Sequence, residues 1–397
     1  MSGRAPGYAQ AVASIGSLVA DAVLIYADSF RSADMRHAVP LGVPDPFLYA
    51  EENGSRHVFA SSMEATRLRE LGLFEVHVHE ELGFDELMES GLDYRELDAQ
   101  LALRAVASLG LERATVPDNF PVWLADRLRA DGIELDVDQE LFDDRRRAKT
   151  EAQLAGMKRA QRAAEAAMDA CRELLRRAEA RGDELLLDGE QLTVERVKAD
   201  MNVVFAANDT SADEYIVAPG AQGAVGHDMG SGPIRPGTPL VVDIFPRDNA
   251  SAVYTDMTRT FVVGDVPDDV REWHRLCKEA LDAAVTEIRA GVDARAVFDV
   301  TCDIFEAAGE PTQRTKQPGE ALADGFFHGL GHGVGLEVHE APGMGRLASK
   351  KLVAGDVVTV EPGLYRAGYG GVRLEDIVRV TENGAEVLTN YPYDLEP

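Results

Sequence analysis

Four carboxylates stand where the sequence otherwise reads as buried strand. Asp243 ends the run Leu240-Val241-Val242-Asp243, Glu361 ends Val357-Val358-Thr359-Val360-Glu361, and Glu375 sits inside Val372-Arg373-Leu374-Glu375-Asp376-Ile377. Asp256 lies in a stretch that reads as strand from Ala252 to Val263, where residues 254, 256, 258 and 260 share one polar, threonine-lined face. A charge on a buried strand is costly unless an opposite charge or a metal ion compensates it. Arg259 and Arg373 are available partners, so any one carboxylate has two explanations, a core ion pair or a metal ligand. Four together, with a histidine cluster in the same half of the chain, favour metal.

The histidines lie in the glycine-rich run Phe327 to Glu340, which places His328, His332 and His339 within 12 positions. Gly329, Gly331, Gly333 and Gly335 let backbone approach a site closely. The strict Gly-x-Gly-x alternation lacks the spacing of a phosphate-binding loop, and His339-Glu340 is followed by Ala-Pro-Gly, which excludes a zinc-protease His-Glu-x-x-His helix. Three histidines with no shared task remain the plainer alternative. An imidazole with four carboxylates is a hard, oxygen-rich ligand set, better suited to two Mn²⁺- or Co²⁺-like ions than to a structural zinc. Such a pair activates water and polarises a carbonyl, which is the chemistry of peptide or ester hydrolysis.

These motifs resemble those of the prolidase and Xaa-Pro aminopeptidase group of pita-bread metallopeptidases. The run His328 to Glu340 is similar to the group's signature, and Glu361-Pro-Gly-Leu-Tyr365 and Gly371-Val-Arg-Leu-Glu-Asp376 resemble its later motifs. Asp243 and Asp256, the latter followed by Met-Thr-Arg-Thr-Phe, resemble its aspartate pair. The resemblance is strong from about residue 150 to 397 and weak over 1–145. It implies an N-terminal creatinase-like α/β domain followed by a pita-bread α+β catalytic domain. It implies five metal ligands, Asp243, Asp256, His332, Glu361 and Glu375, with Asp256 and Glu375 bridging two divalent ions: Mn²⁺ first, Co²⁺ or Zn²⁺ as alternatives. Glu361 would accept the proton of the attacking water, His339 would steady the oxyanion and His227 would face the substrate. His328 and Arg373 would support the site from behind. The implied reaction is hydrolysis of the X-Pro bond of a peptide, by a homodimer. A methionine aminopeptidase-like enzyme and a non-catalytic binding module of the same fold are the alternatives; intact ligands argue against the second. Asp243 and Asp256 are 13 positions apart, where the group usually has about 11, so the hairpin loop around Arg247 to Ser251 is expected to be two residues longer.

The elements that must position these residues follow from periodicity. Ala22 to Tyr26, Arg56 to Ala60 and Phe74 to Val78 read as strands and Ser62 to Leu71 as a helix, an α/β alternation. No chemistry-bearing constellation stands out there: His77 and His79 read as structural or solvent-facing, and His37 and His57 as isolated. Thr150 and Gln153 form a capping-box pattern ahead of an alanine-rich run from Ala155 to Ala178. The domain boundary is placed there, after Arg145-Arg146-Arg147, giving domains 1–149 and 150–397. Beyond it, Pro239 to Phe245 reads as a strand. Asp269 to Arg289 and Asp293 to Ala308 read as helices, the second ending at Gly309. Val357 to Glu361 and Gly371 to Val380 read as strands separated by a Pro-Gly turn.

Bulk composition sets the context. The chain has 397 residues, 45% of them apolar, enough for two domains with real cores. No stretch reaches the roughly 20 apolar residues of a membrane span. The run Ile15 to Ile25 is broken by Asp21 and lacks a basic flank, so no signal peptide is expected. Three scattered cysteines fit buried thiols in the cytoplasm. A net charge of −29 disfavours nucleic acid and anionic lipid as partners. That charge is dispersed, with 33 Arg against 7 Lys, and suggests a protein built for high salt.

Overall fold

The computed structural model describes residues 22–397; the part of the Ile15 to Ile25 run before Ala22 lies outside them. The described residues divide into two compact units, one ending at Arg146 and one running from Arg147 to Pro397.

The first unit is built on one mixed sheet of six strands: β1 (Ala22–Ala27), β2 (Phe47–Glu52), β3 (Ser55–Ala60), β4 (Glu75–Val78), β5 (Arg113–Val116) and β6 (Glu134–Val137), in the order β4-β3-β2-β1-β5-β6. Alternate residues of β1 enter two cores. Ala22 and Leu24 pack with helix α4 (Tyr94–Ser108), while Val23 and Ile25 pack with Met35 and Leu68 from α1 (Ala33–Ala38) and α2 (Ser62–Glu70). Both faces are covered, which is why these strands read as continuous apolar runs. The remaining helices of this unit are α3 (Phe84–Glu89), α5 (Val122–Ala130) and α6, which spans Gln139–Arg147. Arg146, near the end of α6, reaches the buried Asp34 at 3.2 Å.

The second unit opens with α7 (Glu151–Arg177). The Thr150 hydroxyl accepts from the Gln153 N–H and the Gln153 side chain accepts from the Thr150 N–H, so the capping box forms. Leu154, Met157, Ala164, Met168, Cys171 and Leu175 recur at helical spacing on the buried face. With α8 (Val194–Ala207), α7 covers a sheet of β11 (Ile216–Pro219), β12 (Leu240–Ile244) and β14 (Met257–Phe261). The other half repeats the plan. Helices α9 (Asp268–Glu287) and α10 (Ala294–Ala307) cover the sheet β16-β15-β17-β20-β21. Its strands are β15 (Gly331–Gly333), β16 (Glu340–Met344), β17 (Val357–Val360), β20 (Asp376–Val380) and β21 (Ala385–Val387). Two helices on one face of an antiparallel sheet, twice over, give a split apolar core with a seam between the sheets. All three cysteines are buried and unpaired.

The structure corrects two strand assignments at that seam. Regular pairing in the Ala252 to Val263 stretch begins only at Met257, so Asp256 precedes β14 rather than lying on it. Gly371 to Val380 is not one strand. Arg373 closes a hairpin of β18 (Gly363–Arg366) and β19 (Gly370–Arg373), whereas Asp376 pairs with Val360 in the larger sheet. Between them the Glu375 N–H donates to the Thr258 carbonyl at 3.1 Å, a backbone bridge between the two halves. The chain changes partner there, which hydrophobic alternation does not reveal.

Candidate metal centre

The long hairpin leaves the register intact. Asp243 on β12 faces Thr258 on β14. The additional chain leaves the sheet as β13 (Arg247–Asp248), which pairs with β10 (Thr210–Ser211). Asp248 is gripped there by both arms of Arg159, at 2.8 and 2.7 Å, and accepts from Ser251. Tying the insert to α7 keeps Asp243 and Asp256 in position.

His332 lies on β15, Glu361 follows β17, Asp256 precedes β14 and Glu375 lies between β19 and β20. Nε2 of His332 is 3.6 Å from Glu361 Oε1 and 3.9 Å from Asp256 Oδ2, and one donor atom each from Asp256, His332 and Glu375 lies within 4.8 Å of the others. Nδ1 of His332 is 3.1 Å from the Gly333 carbonyl. That contact holds the proton on Nδ1 and leaves the Nε2 lone pair facing carboxylates, an arrangement that calls for a cation between them. The backbone N–H of His332 donates to Thr359 Oγ1 and fixes the strand beneath the ring.

The choice between ion pair and metal ligand can be tested at each carboxylate. Arg373 takes one of the four: its Nη2 donates to Asp243 Oδ2 at 2.6 Å. Arg259 goes elsewhere, to Asp376 at 2.9 Å. Glu375 Oε2 accepts from Thr258 Oγ1 at 2.7 Å. The second oxygens, Asp243 Oδ1, Asp256 Oδ1 and Glu375 Oε1, are buried and have no hydrogen-bond partner among the described residues. Two carboxylate oxygens face the His332 Nε2, and three more on Asp243, Asp256 and Glu375 are buried without a hydrogen-bond partner among the described residues, a donor set that fits divalent cations. Without a cation the carboxyls resist ionisation. Burial, then the charges of Glu375, Asp243 and Glu361, hold Asp256 well above the usual carboxylate range. Glu375 is raised likewise by burial and by Glu361 and Asp243. Burial lifts Glu361 to about 8, against the pull of Arg373 and with a further push from Asp243.

A relay behind the cluster was only partly legible. Arg373 Nη1 donates to the Tyr365 hydroxyl at 2.9 Å, that hydroxyl lies 2.9 Å from His328 Nε2, and His328 Nδ1 is 2.7 Å from the Gly329 carbonyl. With His328 neutral and its proton on Nδ1, Tyr365 accepts from Arg373 and donates to His328 Nε2. Burial, aided by the Arg373 charge, pushes His328 down to about 3 and agrees with that assignment. Burial and the neighbouring His339 push His332 down to about 4. Arg373 thus contacts Asp243, and His328 Nδ1 lies 3.8 Å from Glu361 Oε2. Tyr365 and Thr258 had no assigned role; the signal for Thr258 was its place in the threonine-lined row.

His227 and His339 lie towards solvent. The His339 ring is exposed, with its centroid 4.2 Å from that of His332. His227 is exposed. Two of the four glycines pack strands together. A Cβ on Gly331 would collide with the Thr359 carbonyl, and one on Gly333 with the Ala341 carbonyl, so these two permit strand-to-strand approach.

The profile of metallopeptidase family M24 matches residues 155–382, more than half of the chain. An Xaa-Pro dipeptidase of Pyrococcus furiosus is 35% identical over 189 residues, 46% of this chain and 49% of that protein. The chain spans about half the length of the relatives it matches at this identity. Among solved structures, an Xaa-Pro dipeptidase from Bacillus anthracis superposes with a TM-score of 0.76 at 23% identity, covering 95% of each chain. The dipeptidase PepE of Mycobacterium ulcerans superposes with a TM-score of 0.72 at 25% identity, covering 95% of this chain and 93% of that one. These likenesses show the fold, an N-terminal α/β domain followed by a pita-bread domain. The chain belongs to metallopeptidase family M24.

Proposed function

We propose that the protein hydrolyses the bond before proline in short peptides, with two divalent ions held by Asp243, Asp256, His332, Glu361 and Glu375. The observation that carries this is the grouping of Asp256, His332 and Glu375, with buried carboxylate oxygens on Asp243, Asp256 and Glu375 that lack a partner among the described residues. The oxygen-rich donors favour Mn²⁺, with Co²⁺ or Zn²⁺ as substitutes. When bound, such ions polarise the scissile carbonyl and acidify water.

The chain's own groups divide the remaining work. Glu361, 3.6 Å from His332 Nε2, takes a proton from the attacking water and passes it to the proline nitrogen as the C–N bond breaks. His339 and His227, open to solvent beside the cluster, bind the peptide, and His339 donates to the carbonyl oxygen as it gains charge. Arg373, locked by Tyr365 and Asp243, keeps the Asp243 carboxylate aimed. Selectivity for proline rests on the names of the relatives and on one physical point: the X-Pro bond is a tertiary amide without an N–H. A site that leaves no room or acceptor for that hydrogen selects it.

Hydrolysis of X-Pro dipeptides and longer X-Pro peptides with added Mn²⁺, Co²⁺ or Zn²⁺ tests this. Ala-Pro should be cleaved and Ala-Ala should not. Equal rates on the two refute proline selectivity; release of N-terminal methionine in their place would make the enzyme methionine aminopeptidase-like. No hydrolysis of any peptide by metal-loaded protein would favour a binding module.

A further inference from the structure

A second cluster of ligand atoms lies in the first unit, where His57 and His77 had seemed unrelated. β3 and β4 run parallel, with His57 opposite Glu75 and Phe59 opposite His77. Residues 57, 59, 75 and 77 therefore share one face of the sheet. Nδ1 of His57 is 3.3 Å from Nε2 of His77 and 3.7 Å from Glu75 Oε2, and the three ligand atoms lie within 4.8 Å of one another. Two nitrogens bound to one tetrahedral ion at 2.0–2.1 Å would stand about 3.3 to 3.4 Å apart, so the imidazole pair is already at ligand spacing.

Two further contacts orient His77. Its other nitrogen, Nδ1, is 3.4 Å from Glu81 Oε2. A carboxylate behind a metal-facing imidazole holds the proton on the far nitrogen and frees the near one. Phe59 lies flat against the ring, with centroids 4.6 Å apart and planes 15° from parallel. The His57 side chain is only 10% exposed while that of Glu75 is 65% exposed, so an ion can reach buried nitrogen from the Glu75 side. We infer that His57, Glu75 and His77 form a binding site for one borderline divalent ion such as Zn²⁺, Ni²⁺ or Cu²⁺. Two imidazoles and one carboxylate suit these ions, in contrast to the oxygen-rich set of the second unit. Binding moves the proton of His57 to its Nε2, leaving Nδ1 for the ion. Because β4 is a four-residue strand at the edge of the sheet, the ion would clamp that edge to β3.

The test counts Ni²⁺ bound per full-length chain after saturation and dialysis, in wild type, His77→Gln, Glu75→Gln and Glu81→Gln. Glu75 is exposed, so its replacement leaves the fold intact even if a histidine variant unfolds. Wild type should retain one more ion than His77→Gln or Glu75→Gln. Glu81→Gln should bind that ion about 10- to 100-fold more weakly. Cu²⁺-loaded wild type should show a resonance signature of two imidazole nitrogens that His77→Gln lacks. Equal Ni²⁺ uptake in all four proteins would overturn the inference, as would a Cu²⁺ signature unaltered in His77→Gln.

Discussion

Glu375 and Asp376 are consecutive and both are buried, yet their carboxylates meet opposite environments. Asp376 accepts from Arg259 Nη2 at 2.9 Å and from the Tyr393 hydroxyl. Arg259 in turn donates to the carbonyls of Thr258, Glu375, Tyr391 and Pro392. Every charge there is answered from within the chain. One residue earlier, Glu375 has a threonine hydroxyl on one oxygen and, among the described residues, no hydrogen-bond partner on the other. The first arrangement holds the fold together; the second is the kind that, in the function proposed above, receives ions from outside. A buried carboxylate in a sequence is thus ambiguous until its second oxygen is accounted for.

The comparison breaks most sharply under mutation. Glu375→Ala should reduce peptide hydrolysis to the uncatalysed background while circular dichroism and the melting temperature of the metal-free protein stay close to wild type. Near-normal turnover would place Glu375 among structural carboxylates like its neighbour. Asp376→Ala should do the reverse. Breaking one partner of a closed buried pair costs about 3 to 5 kcal/mol, read by denaturant unfolding, and any activity of the folded fraction should survive. An unchanged unfolding midpoint would show that Arg259 does not depend on Asp376.

His339→Ala probes the same division within the site. Its ring faces solvent beside His332, so the variant should lose about 100- to 1000-fold in kcat and keep its metal. Loss of an ion would exchange the roles given to His339 and His332.

The smallest effect is in pH. In metal-free protein, burial raises the Glu361 carboxyl from 4.5 to about 8, so between those values the folded state binds protons that the unfolded chain has released. The stability this gives is complete below the unfolded value and is lost as pH rises through the folded one. Melts with chelator should therefore fall from pH 5 to 8, by at most about 1.4 kcal/mol per pH unit for each such group. Added metal should flatten the slope, and Glu361→Gln should reduce it. A chelated protein with no more slope than the metal-loaded one would count against buried, repelling carboxylates.

What the sequence disclosed was the cost of single residues. Asp243, Glu361 and Glu375 were visible because charge interrupts apolar strands, and α7 because Thr150 and Gln153 cap it. What it hid was partnership. Which arginine serves Asp243 and which serves Asp376 depends on how two sheets meet at Thr258 and Glu375. The break in the strand reading at Leu374 has the same origin. His57 reads as isolated and His77 as structural because 20 positions separate them and only the parallel register of β3 and β4 brings them together. Tyr365 appeared as a motif letter, with no sign that Arg373 and His328 both meet its hydroxyl.

Counting metal in the reconstituted protein tests the central claim most directly, with Glu375→Ala and Asp376→Asn measured beside wild type. The account predicts about two Mn²⁺ ions per chain in wild type and in Asp376→Asn, and fewer in Glu375→Ala, with turnover following the count. Full occupancy in Glu375→Ala, or full turnover by wild type stripped of every ion, would contradict it.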